Sequence, residues 1–143
     1  MLSVILIACA LVAITVTVHA AGFALLLQSL MKSHAPPPTR FWPIAWQLIR
    51  LTWLLILIHL VEISVWGMFY FWQDCLPDAG SAFYFSGVTY TTVGYGDLVL
   101  PKPWRMLGPV EGLTGILMCG LSAGLFFAVV SKIYASRFQT KPK

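Results

Sequence analysis

The chain has 143 residues, of which 59% are hydrophobic and only 10% charged, and its mean hydropathy is +0.83. A soluble domain carries about 25% charged residues, so this composition excludes an ordinary soluble fold and points to a membrane protein. The net charge is only +4, and the basic residues sit at the ends of apolar runs rather than in one patch, which argues against a nucleic-acid partner.

A helix needs about 20 apolar residues to cross a bilayer. The first run, 2–31, has no acid or base before Lys32, and segment 1–32 reads as a transmembrane helix. Val18-His19-Ala20 has some look of a signal-peptidase site, but the start lacks a basic region and the run is too long for a signal peptide. His19, near the middle, is expected to be packed or hydrogen-bonded. Segment 33–47 breaks the pattern: Ala35-Pro36-Pro37-Pro38 cannot continue a helix, and Lys32, His34 and Arg40 cluster around it. Trp42, Pro43 and Trp46 then suggest either an interfacial helix over 41–50 or a simple helix start at headgroup level.

The second span is 48–72 and ends in Trp66, Phe69, Tyr70, Phe71 and Trp72. His59 and Glu62 interrupt it three residues apart, on one helix face. An ionisable group in a membrane helix is costly. The plain reading makes Glu62 a hydrogen-bonded anchor to His59 or to a neighbouring element; the sharper one couples it to gating. After a polar loop holding Asp74, Cys75, Pro77 and Asp78, segment 79–91 is apolar but too short to cross. It reads as a helix that dips into the membrane and returns as extended chain over 92–97. Non-helical backbone at that depth must be buried in protein or line water.

That extended stretch, Thr91-Thr92-Val93-Gly94-Tyr95-Gly96-Asp97, alternates glycine with larger residues. Glycine accepts backbone angles of either hand, so such alternation lets successive carbonyls point the same way. The third span, 104–134, carries small residues at Gly108, Gly112, Gly120, Gly124 and Ala128, with Gly115 off that row, and the tail 136–143 is basic. Glu111 in this span is expected to be buried against the short helix or the second span. Cys9 and Cys119 read as packing residues, and Cys75 as an unpaired loop thiol with a link between subunits as the other option. Lys32, Arg40, Arg50, Lys132, Arg137, Lys141 and Lys143 lie on one side, against Asp74, Asp78 and Asp97 with Lys102 and Arg105 on the other. The expected topology is therefore N-terminus outside and C-terminus cytoplasmic, in a multi-pass inner or plasma membrane.

The run Phe83 to Asp97, with Thr92-Val93-Gly94-Tyr95-Gly96 at its core, resembles the pore helix and selectivity filter of the potassium-channel superfamily. With a helix on each side the likeness covers about 48–134, and it is closest to small prokaryotic channels with a two-helix pore module. The fold it implies is an all-α membrane protein with three transmembrane helices, a re-entrant pore helix and an extended filter, forming a homotetramer around a central pore. By this resemblance the carbonyls of Thr92, Val93, Gly94 and Tyr95, with the Thr92 hydroxyl, hold K⁺, and Gly94 and Gly96 supply the backbone angles. Thr91, Tyr84, Phe85, Val88 and Asp97 would support the filter, with the Tyr95 ring packed on Tyr84 and Phe85 and Asp97 bonded to Tyr84. Leu117, Gly120, Gly124 and Ala128 would line the cavity, Gly115 or Gly120 would serve as hinge, and Glu62 or Glu111 as a buried acid coupled to gating. Phe126 and Phe127 would narrow the cavity only in a rotated helix.

The first helix is an addition to the pore module and lacks the spaced basic residues of a voltage sensor. K⁺ is the permeant ion, membrane lipids are the surroundings, and no cofactor is implied. An enzyme is not expected: no nucleophile–base constellation is visible, and His19, His34 and His59 fall on separate elements. The alternatives are a weakly selective cation channel and a non-conducting subunit that keeps the filter as a fold element.

Overall fold

The computed structural model describes residues 2–32 and 41–139, with side chains placed for 2–29 and 41–135. The proline break at 35–38 lies outside the described residues, as do His34, Arg40, Lys141 and Lys143. Four helices follow in order: α1 (Leu2–Lys32), α2 (Phe41–Trp72), α3 (Ala79–Tyr90) and α4 (Leu107–Gln139), with a 3₁₀ turn at Lys102–Trp104 before α4. No strand occurs among the described residues, and α1, α2 and α4 are each long and apolar enough to cross a membrane.

Two boundaries differ from the sequence expectation. Helix α2 starts at Phe41 rather than at 48 and runs without a break through the segment considered as a separate interfacial helix. Pro43 is its third residue, where the missing N–H has no intrahelical partner to lose. The last helix starts at Leu107, because Pro101 and Pro103 leave room only for the 3₁₀ turn before it.

Helices α1 and α2 pack antiparallel, and polar contacts fix their register. Trp66 Nε1–H donates to Thr15 Oγ1 at 3.0 Å, and His19 Nδ1 lies 2.8 Å from Glu62 Oε1. Further along, Gly22 faces Ile58, Leu26 packs with Leu51 and Leu55, and an Arg50 N–H donates to Ser29 Oγ at 3.3 Å. Steps of three or four residues along one helix thus match steps of three or four, in reverse, along the other. Any side chain at position 22 would run into Ile58, whose Cδ1 lies 2.7 Å from where a Cβ would stand. In lipid the gain from such contact comes from van der Waals packing and hydrogen bonds, not from escaping water.

Helix α3 is wedged between α2 and α4. Phe85 meets Tyr70 edge-on at 5.3 Å, and both join Trp66, Leu100 and Leu107 in one buried cluster. Gly67 allows the approach: a Cβ there would stand 3.2 Å from the Phe83 Cα. Cys75 lies in this cluster, 5% exposed, which makes it a packing residue and takes its sulfur off the surface where another chain would meet it. Cys9 and Cys119, expected as packing residues, are instead exposed on the surface of the chain. Apolar composition gives no means of telling which face of a membrane helix is turned inward.

The start of α3 is set by Asp78, the N-cap, whose Oδ1 accepts from the Ser81 amide at 2.9 Å and whose Oδ2 accepts from the Ser81 hydroxyl at 2.8 Å. The Ser81 amide, followed by its hydroxyl, holds the Asp78 carboxyl below the ordinary carboxylate range. A lowered pKa in the fold adds stability that is present above the unfolded-state value, about 4, and fades as pH falls through the folded value. Asp78→Ala is therefore expected to lower thermal stability in detergent at pH 7. The gap to the unchanged chain should close as the pH is taken below 4, and a gap independent of pH would show that the cap charge contributes nothing.

Candidate pore-loop site

The segment after α3 carries an unusual backbone. Thr92, Gly94 and Gly96 have φ of 62°, 53° and 77°, while Val93 and Tyr95 between them are not in the left-handed region. Positive φ thus recurs at every second position from 92 to 96, a pattern that a regular strand does not have. For Thr92 this is strained, since a β-branched residue rarely takes positive φ, and the cost is of order 1–3 kcal/mol.

The end of α3 holds the strained segment in place. The Thr91 N–H and hydroxyl both donate to Gly87 O, at 3.1 and 2.7 Å. The Thr92 N–H donates to Thr89 O at 2.9 Å, and the Gly94 N–H reaches Val88 O at 3.0 Å. At the far end the Tyr84 hydroxyl donates to Asp97 Oδ2 at 2.7 Å. Tyr84, Val88, Thr91 and Asp97 are therefore brought against the segment. Phe85 is not: Tyr84 and Phe85 point about 100° apart on the helix, and Phe85 is committed to Tyr70. The Tyr95 ring does not pack on the pair as expected; it is 72% exposed and makes no ring contact among the described residues.

Two fully buried carboxylates brace α3. Glu111 on α4 accepts from the Tyr70 hydroxyl of α2 at 2.8 Å, and its other oxygen lies 2.5 Å from Ser86 Oγ of α3. Ser86 Oγ is also 2.8 Å from Ile63 O. Glu62 on α2 accepts from the Tyr90 hydroxyl, at the last residue of α3, and its oxygens lie 2.8 Å from His19 Nδ1 and 3.0 Å from His59 Nδ1. His59 Nε2 lies 3.0 Å from Ser122 Oγ of α4. Sequence reasoning placed Glu62 with His59 but missed Tyr90, Ser122 and above all His19. His19 and His59, though on separate helices, are brought together: their rings are 5.6 Å apart. The signal that was available is Thr15 and His19 four apart in an apolar run, matched by Glu62 and Trp66 four apart in the next.

On α4, a Cβ at position 115 would overlap the Tyr90 carbonyl oxygen and stand 2.8 Å from its carbonyl carbon, so glycine is required there by close packing against α3. Gly120 and Gly124 have nothing within 4 Å of where a Cβ would stand, and they share an exposed face with Leu117 and Ala128. Phe127, 72% exposed, follows Gly120 by seven residues, roughly 20° around the helix. It reaches that face without the rotation the sequence reading required, whereas Phe126 packs against the Leu26, Leu51 and Leu55 cluster.

Residues 56–132 match the family model described as an ion channel, which takes in most of α2, all of α3 and the segment after it, and most of α4. Helix α1 lies outside the match. No curated protein and no solved structure matches the chain.

Removing the Glu111 carboxylate leaves the Tyr70 and Ser86 hydroxyls buried, with Tyr70 deprived of its acceptor. Glu111→Leu is expected to cost about 1–3 kcal/mol for the unpaired Tyr70 hydroxyl, and Tyr70→Phe a comparable amount for the Glu111 oxygen it leaves without a donor. Thermal unfolding in detergent reads both against the unchanged chain; a melting temperature unaltered by Glu111→Leu would mean that this side chain does not brace α3.

Proposed function

The chain belongs to the ion-channel family, and on that premise we propose that it is a potassium-selective channel that conducts K⁺ passively as a homotetramer. The observation that carries the reading is the alternating hand of Thr92, Gly94 and Gly96 within the sequence Thr-Val-Gly-Tyr-Gly. Carbonyls of Thr92, Val93, Gly94 and Tyr95, aimed to one side, replace the hydration shell of a bare cation when four copies face one axis. One chain supplies a quarter of such a ring, so the site is complete only in the tetramer. The exposure of this segment supports that arrangement, as does the exposed apolar face of α4 with Leu113, Leu117, Leu121 and Phe127. Both surfaces are turned away from the chain's own helices and are available to other copies.

The C-terminal end of α3 points its carbonyl dipoles toward the inner side of the filter, where they favour a cation. Asp97 and the Tyr84 hydroxyl set the outer end. The basic residues at the ends of the spans support a filter mouth outside and a C-terminus in the cytoplasm, in an inner or plasma membrane. Gly115 or Gly120 remains the proposed hinge, and Leu117, Gly120, Gly124 and Ala128 the cavity lining.

Liposomes reconstituted with the purified protein are expected to pass K⁺ and exclude Na⁺, and Gly94→Ala is expected to abolish the flux, since alanine at φ 53° is strained. Flux that survives this change, or a reversal potential near zero under a K⁺/Na⁺ gradient, would overturn the filter assignment. Native mass spectrometry in detergent should give four times the mass of the chain; a monomer or dimer as the conducting species would exclude the four-fold ring.

A further inference from the structure

The second carboxylate cluster gathers metal-ligating groups from three helices. One nitrogen each of His19 and His59 and an oxygen of Glu62 lie within 4.8 Å of one another, in a setting where Glu62 is 0% and His19 2% exposed. Two imidazoles and the Tyr90 phenol converge on the carboxylate from α1, α2 and α3. His19 Nε2 is buried with no partner among the described residues, so Nδ1 is the ring atom through which His19 meets the cluster.

We propose that His19 Nδ1, His59 Nδ1 and Glu62 form a binding site for a divalent transition metal of the zinc class, with the Tyr90 oxygen as the fourth donor. Two imidazole nitrogens and a carboxylate oxygen are a zinc-type donor set. Bonds of about 2.0–2.1 Å to a tetrahedral ion require donor-to-donor edges of roughly 3.3 Å. His19 Nδ1 lies 2.8 Å from Glu62 Oε1, while His59 Nδ1 lies 3.0 Å from Glu62 Oε2 and from Tyr90 Oη, so on binding the carboxylate turns one oxygen toward both imidazoles and the Tyr90 hydroxyl moves back from it. On binding, both imidazoles carry their proton on Nε2. His59 then donates to Ser122 Oγ, already 3.0 Å away, which is the outer bond that orients a metal-bound histidine. The Glu62 carboxylate offsets one of the two positive charges, and the Tyr90 oxygen is the second oxygen donor facing the ion. The bound ion fastens α1, which lies outside the family match, to α2 and to the residue that ends α3, two positions before the strained Thr92.

The test is metal binding, not ion flux, so it stands apart from the channel reading. Untagged protein in detergent, dialysed against Zn²⁺ and analysed for metal, should hold one ion per chain. His19→Gln should weaken binding by roughly tenfold or more, while His34→Gln leaves it unchanged. Zn²⁺ should raise the melting temperature of the unchanged chain but not of His19→Gln, as expected for a ligand of the folded state. The Co²⁺-loaded unchanged protein should show a low-coordinate spectrum with nitrogen and oxygen donors only, a readout that decides the matter even where a variant fails to fold. No Zn²⁺ above the detergent blank, equal binding by His19→Gln, or thiolate bands in the Co²⁺ spectrum would each overturn the site.

Discussion

A carboxylate buried among apolar helices must be met by donors, because an unpaired one costs several kcal/mol. That requirement at Glu62 organises this chain. It draws His19 from α1, His59 from its own helix and the Tyr90 hydroxyl from α3, and His59 carries the link on to Ser122 of α4. The register of α1 on α2 follows, since the pair of His19 with Glu62 and the pair of Thr15 with Trp66 are one turn apart on both helices.

Glu111 meets the same requirement from the other side of α3. Between them the two carboxylates hold the middle of that helix through Ser86 and its end through Tyr90. The strained segment begins immediately after the end so held. A residue such as Thr92 keeps a left-handed backbone only where its surroundings leave it no alternative, and here the Thr89 and Val88 carbonyls fix the amides of Thr92 and Gly94. The proposed selectivity therefore depends on polar anchoring well behind the backbone that would touch the ion. The glycine at 115 belongs to the same arrangement, because only glycine lets α4 come this close to the Tyr90 carbonyl.

Membership of the ion-channel family covers the pore module and leaves α1 unaccounted for. The structure gives that helix a definite attachment rather than a loose apolar one. Two buried polar pairs, one glycine contact and a leucine cluster set its position along α2. Motion of α1 would have to break the His19 to Glu62 bond, and so would be felt at Tyr90.

The number of spans, the short helix between the second and third, and the left-handed backbone at Gly94 and Gly96 were legible in the sequence. Each depends on local quantities: run length against bilayer thickness, and the conformational freedom of glycine at fixed spacing. The partners of Glu62 and Glu111, the burial of Cys75 in place of Cys9 and Cys119, and the steric role of Gly115 were not legible. Each depends on which face of one apolar helix meets which face of another, and in a helix that is apolar all round composition does not mark that face. The sparse polar residues inside the spans mark it instead, and only the packed helices show which of them meet.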